Sequence, residues 1–328
     1  MDGATAREEA IIDAKLPIID AHHHFWDEAH GKFDYLISDL MSDVRSGHNI
    51  VQTVYCECEY GFRQSGPEEL RPVGETEYVM STLAAAGSEA GNLCNGLMMY
   101  ADMTLGAGVQ PVLDAHRAVA GRRFKGIRYI AAHDPSPLVR SFVPEGGVLG
   151  LPAVKEAVAC LASNGLTFET FVFHPQLEEV ARLAAAVPNA TIVVSALGGP
   201  VTVGPFKGKN REVFENWRAS MSELAKQPNV YMQIGGFGAK MYGLGFHSSE
   251  SKPSTEELAS AWQPYFDVCL DAFGASRCLV ASNFPQDIAV TSYRQLWNVF
   301  KYMSRGLSEQ EKLDIFSRTS TKVYSLDM

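Results

Sequence analysis

Eight short apolar runs, rich in β-branched residues, recur along the chain with helix-like stretches between them. This alternation restricts the fold more than any other feature of the sequence. The runs read as strands near 16–20 (LPIID), 50–58 (IVQTVYCEC), 95–102, 124–130, 166–173, 190–197, 229–236 and 277–283. Helical stretches such as 109–121, 151–165 and 176–189 precede the later strands. One helix opens at Ser254 or Thr255, an N-cap residue with Glu257 two or three positions on. Two more helices are expected at roughly 291–305 and 308–317. Strands that alternate with helices pair in parallel through right-handed crossovers. Eight of them in 328 residues predict an α/β protein, a (β/α)8 TIM barrel with insertions, as one domain over 1–328. The alternative is an open doubly wound sheet, but no G-x-G-x-x-G follows the first strand, which argues against a dinucleotide-binding version. The stretches 31–49, 131–150, 198–210 and 235–254 read as loops. The last three follow strands, which puts them at the active-site rim of a barrel.

Side chains at the C-terminal ends of barrel strands converge on one mouth. His22 and His24 in "IDAHHHFWD" lie just past the first strand. Residues two apart on an extended segment share a side, so both imidazoles can face one ligand while His23 faces away. Two such nitrogens suit a metal ion or a polarised substrate oxygen. His174 closes "FETFVFHP", Arg128 sits in "GIRY", and Asn283 and Asp287 lie in "SNFPQD" after the eighth strand. Glu57 and Glu59 alternate with Cys56 and Cys58, so one pair faces the barrel interior. Tyr60 and Arg63 in "YGFRQSGPEELRP" either reach the mouth as substrate contacts or solvate a surface. Taken singly, each has a structural reading: an Arg in a buried ion pair, a Glu satisfied by backbone, histidines in a polar loop. Their shared position at strand ends shifts the balance toward a site.

Other function classes are excluded by simpler features. The formal net charge of -10 argues against nucleic acid and anionic membranes as partners. No run approaches the roughly eighteen apolar residues of a membrane span. The N-terminal stretch is mixed-charge and helix-prone, without the basic and apolar regions of a secretory signal. The six cysteines form no C-x-x-C pair. A reduced, cytoplasmic protein acting on a small molecule is expected, with a homodimer as the default for such barrels.

The motifs "IDAHHHFWD", "CEYGFRQSGPEELRPVGETEYV", "FKGIRYIAAHD", "FHPQLEEVARLAAAVPNATIV", "GGPVTVGPF", "NVYMQIGGFG", "FGASRCLVASNFPQD" and the terminal "STKVYSL" run in order almost end to end. Together they resemble the amidohydrolase superfamily, in particular the amidohydrolase 2 group of sugar-lactone and 2-pyrone-4,6-dicarboxylate lactonases and related decarboxylases. The resemblance implies a distorted (β/α)8 barrel. It also implies that one divalent metal, zinc or manganese, would be held by His22, His24 and His174. The family's remaining metal positions fall on Ala196 and Asn283, where it carries a His and a metal-binding, water-activating Asp. Ala offers no lone pair, and the neutral amide of Asn takes no proton near pH 7. Asp287, four residues on, is the stand-in base. A metal-free scheme, with Arg128 and the histidines polarising the ester carbonyl, is open as well.

The expected function is hydrolysis of a small cyclic ester or amide. His22, His24 and His174 would polarise the carbonyl, Asp287 and Asn283 would serve the water, and Arg128, Glu57, Tyr60 and Arg63 would bind the substrate. Loss of the usual Asp also allows a decarboxylase or isomerase on the same barrel, and the altered strand ends allow a degenerate ligand-binding barrel.

Overall fold

The computed structural model describes residues 9–27, 30, 33–244, 246–248 and 252–327. Its eight strands are β1 (Pro17–His23), β2 (Asn49–Cys56), β3 (Gly96–Met99), β4 (Phe124–Ile130), β5 (Thr167–Phe171), β6 (Ile192–Val194), β7 (Val230–Ile234) and β8 (Cys278–Val280). They pair in parallel in the order β1 to β8, which is the expected barrel. The ring closes between β1 and β8 through a bridge of His23 with Phe284. Asp20 fastens that seam. Its buried carboxylate accepts from Ser282 N at 2.9 Å, Ser282 Oγ at 2.6 Å and Tyr293 OH at 3.0 Å.

The helices are α1 (Ile37–Val44), α2 (Val73–Ala86), α3 (Gln110–Ala120), α4 (Pro152–Ser163), α5 (Leu177–Ala186), α6 (Asn210–Leu224), α7 (Thr255–Phe273), α8 (Tyr293–Met303), α9 (Glu309–Leu313) and α10 (Thr319–Val323). α7 shows how sequence sets an element. Ser254 Oγ accepts from Glu257 N while Glu257 Oε2 accepts from Ser254 N, a capping box. Leu258, Trp262, Phe266, Cys269 and Phe273 then fall on one buried stripe, and Gly274 ends the helix at φ 72°.

Two expectations need correction. The stretch 31–49 is not all loop, because α1 lies in it. Ile37, Leu40, Met41 and Val44 form the short apolar stripe that buries it. The expected helix over 308–317 runs on to Val323, as α9, a π-helical turn at Asp314–Arg318 and α10 in unbroken succession. The helix-prone N-terminal stretch lies largely outside the described residues.

Ile19, Ala21, Val54, Cys56, Met98, Val193, Tyr231, Leu279 and Ala281 pack inside the barrel with Val323, Tyr324 and Leu326 of the C-terminal segment. That segment plugs the N-terminal end of the strands. Thr167 Oγ1, at the start of β5, donates to Val323 O at 2.6 Å, and Lys125 Nζ, near the start of β4, donates to Ser325 O at 2.9 Å. The opposite, C-terminal rim carries left-handed backbone at four non-glycine residues, namely Glu59, Ala196, Leu197 and Asn283. Such conformations cost on the order of 1–3 kcal/mol each and gather at functional sites.

Candidate active site

β1 delivers its histidines as the period-two pattern predicts, helped by an irregularity in the β1–β2 register between Asp20 and His23. The Nε2 atoms of His22 and His24 stand 3.2 Å apart. His23 faces away, toward Thr53 Oγ1 at 2.8 Å. Each paired ring is gripped on its other side. His24 Nδ1 donates to the carbonyl of Cys56 at 2.8 Å, a contact that only an N–H can make. His22 Nδ1 meets Glu169 Oε1 of β5 at 3.1 Å. Burial and the nearby Arg128 hold the His22 pKa well below its usual value, and burial, His22 and Arg128 do the same for His24. Both rings are therefore neutral.

Around them lies a buried charged group. Arg128 Nη1 donates to Glu57 Oε1 at 2.9 Å and to Glu57 O at 3.1 Å. Its Nε has no hydrogen-bond partner among the described residues and lies 3.8 Å from Glu169 Oε1. Tyr324 OH donates to Glu169 Oε2 at 2.9 Å, and the Cys56 thiol lies 3.8 Å from Oε1. Burial pushes the Glu169 carboxyl up to about 7, while Arg128, Tyr324 and Cys56 pull the other way. Burial raises Glu57 too, against the pull of Arg128. Of the two alternating acids, Glu57 points in and Glu59 stays exposed.

A second polar group sits where β6, β7 and β8 end. Asp287 Oδ1 accepts from Asn283 Nδ2 at 2.8 Å, and Oδ2 accepts from Gly238 N at 3.1 Å. Burial lifts the Asp287 pKa to about 7, against those two donors. Asn283 N donates to His22 O at 2.8 Å, which ties this group to β1. A Cβ on Gly236 would lie 3.3 Å from Ala196 Cβ and 3.5 Å from Asn283 Nδ2, so the altered positions 196 and 283 do face one spot.

His174 is buried at the end of β5, with its N donating to Gly199 O at 2.9 Å and its ring edge-on to Phe206 at 5.0 Å. Gly199 is required there, because a Cβ on it would stand 2.2 Å from Val172 O. His174 Nδ1 has no hydrogen-bond partner among the described residues. His174 is not part of the group of three potential ligands that the described residues bring together. Tyr60 donates to Asp27 Oδ2 at 2.8 Å and packs on Tyr78. Arg63 does not join the buried cluster. Glu77 of α2 holds its guanidinium at the surface, an opposite charge that the linear sequence did not single out.

The donor set fits two ligands of a divalent ion. Two nitrogens bound to a tetrahedral zinc stand about 3.3 Å apart, close to the spacing of His22 and His24. Their Nδ1 contacts to a carboxylate and a backbone carbonyl are those that orient metal-bound imidazoles. Among the described residues one group of three potential ligands lies within 4.8 Å, His22, Cys56 and Glu169. In that trio Glu169 Oε1 meets His22 Nδ1, the nitrogen turned away from His24, so it is better read as the layer that supports His22.

Sequence reasoning missed Glu169 and Tyr324. The only signal was an acid in the middle of "TFETF", a strand with all five residues buried, where a carboxylate needs partners.

A family model described as amidohydrolase matches residues 19–326. The chain is 28% identical to the uncharacterized protein y4mH of Sinorhizobium fredii, over 94% of this chain and 98% of that one. It is 25% identical to an L-fucono-1,5-lactonase of Burkholderia ambifaria, over 81% of this chain and 80% of the relative. The crystal structure of an amidohydrolase from Burkholderia multivorans with bound zinc superposes with a TM-score of 0.72 at 20% identity, covering 94% of this chain and 99% of that one. Among the described residues no helix is long and apolar enough to cross a membrane.

Proposed function

The chain belongs to the amidohydrolase family, and we propose that it hydrolyses a small, neutral, hydroxyl-bearing lactone at the mouth of its barrel. The observation that carries this reading is the pair of neutral imidazoles whose Nε2 atoms stand 3.2 Å apart beside a buried Arg–Glu cluster. The L-fucono-1,5-lactonase relative supports the reaction class.

His22 and His24 would hold a divalent ion through Nε2, and an ion there supplies Lewis-acid polarisation of an ester carbonyl. The rest falls to the chain itself. Asp287, poised near 7, takes a proton from the attacking water and returns it to the departing ring oxygen. Asn283 cannot act as base, but its Nδ2 holds Asp287 in place. Arg128 faces Glu57 and lies near Glu169, two carboxylates to one guanidinium. Its charge is thus offset, which favours a hydroxyl-bearing lactone over an anionic substrate. Glu57 accepts from such a hydroxyl through Oε2, which is buried and without a hydrogen-bond partner among the described residues.

A panel of sugar lactones and dicarboxylate lactones, turned over in oxygen-18 water, tests this reading. Hydroxy acid with labelled carboxylate, formed fastest from neutral lactones, is the expected product. A decarboxylated or isomerised product without label would overturn it in favour of lyase or isomerase chemistry.

A further inference from the structure

Layers of branched apolar side chains ordinarily fill the interior of a (β/α)8 barrel. A polar chain crosses this one. Gln233 Nε2 of β7 donates to Tyr324 OH at 3.3 Å, Tyr324 OH donates to Glu169 Oε2 at 2.9 Å, and Glu169 Oε1 meets His22 Nδ1 at 3.1 Å. All four residues are buried. Tyr324 belongs to the plug at the far end of the barrel, so the C-terminal segment reaches the site through the Glu169 carboxylate.

We propose that Tyr324 is a positioning residue for His22: its hydroxyl turns Glu169 Oε1 toward His22 Nδ1 and so keeps the imidazole proton on Nδ1 and the Nε2 lone pair toward His24. The direction of the bonds supports this. Gln233 occupies the acceptor side of the Tyr324 oxygen, which leaves the hydroxyl hydrogen for Glu169. Arg128 supplies the competitor. Its Nε is buried without a hydrogen-bond partner, 3.8 Å from the same Oε1, and a guanidinium favours two parallel bonds to a carboxylate. Glu169 released from Tyr324 can turn onto Arg128 and leave His22 without its carboxylate partner, with the neutral amide of Gln233 as the other side-chain partner of the ring. The ring then takes its other tautomer, with Nε2–H donating to His24 Nε2 across the existing 3.2 Å. That tautomer has no lone pair to offer at the mouth. The catalytic consequence rests on the hydrolase reading above; the tautomer itself does not.

The test is Tyr324→Phe in protein labelled with nitrogen-15 at histidine and treated with chelator. Long-range proton–nitrogen spectra report the His22 tautomer, assigned with a His22→Gln sample. Wild type should show Nδ1–H. Y324F should shift His22 toward Nε2–H, and zinc affinity, read by competition with a chromophoric chelator, should fall about 10–100-fold. If Y324F does not fold, Glu169→Gln keeps the side-chain volume and should shift the same equilibrium. An unchanged His22 tautomer in the folded variant overturns the proposal, even with a lowered melting temperature. Wild type that binds no zinc would sink the metal part of the functional reading, while the spectra would still decide the role of Tyr324.

Discussion

Glu57 and Arg128 form an ion pair at 2.9 Å inside the barrel mouth, with the Arg128 side chain 11% and the Glu57 side chain 2% exposed. Glu169 approaches the same guanidinium from the other side. One cation thus serves two buried acids. Replacing it with Met should leave both carboxylates uncompensated, and breaking such a pair costs about 3–5 kcal/mol. Chemical denaturation of Arg128→Met against wild type measures this. The double variant with Glu57→Gln should recover part of the loss, and a single variant as stable as wild type would remove the cluster from the account.

The raised carboxyl of Asp287 gives a pH dependence with a definite sign. Its pKa lies at about 7, so the group is protonated and unable to accept a proton below that value, and ionised above it. Lactone turnover should therefore rise with pH through about 7. Asp287→Asn should flatten that limb and lower turnover by about 100-fold or more. A profile that keeps its limb in the variant assigns it to another group.

Asn283→Asp would restore an acid at the strand-eight position and place a second carboxylate 2.8 Å from Asp287. Two acids that close cannot both ionise freely, and one of them is pushed up strongly. The acid limb of the pH profile should move to higher pH, the opposite of what a simple gain of a base would give. The kcat/KM profile of the variant decides between them.

Gly199→Ala probes the support of His174. Gly199 has φ 59°, and an added Cβ would meet Val172 O at 2.2 Å and Phe173 Cα at 2.9 Å. The left-handed backbone alone costs about 1–2 kcal/mol for a non-glycine residue, and the clash adds to it. Thermal unfolding should show the loss. Turnover should fall further than stability if His174 works at the rim, and in step with it if His174 only packs on Phe206.

The barrel was legible because parallel strands covered on both faces read as apolar runs, and eight of them admit few arrangements. The ends of β6 and β8 were hard to read because these strands hold three residues each inside apolar runs that continue past them. The pairing of His22 and His24 was legible from side-chain alternation alone. Glu169 was not, since "TFETF" shows an acid in a strand but not the four donors around it, which come from β1, β2, β4 and the C-terminal segment. Arg63 misled for the converse reason. It stands next to the mouth in sequence, and its fate depends on Glu77 one helix away. His174 opens a short turn just past β5, whose last residue is Phe171.

The central claim is that His22 and His24 act together on one carbonyl. Turnover by His24→Ala of a lactone that the wild type hydrolyses tests it most directly. The variant should lose about 100-fold or more of kcat with its fold intact by circular dichroism. Turnover equal to wild type would contradict the claim.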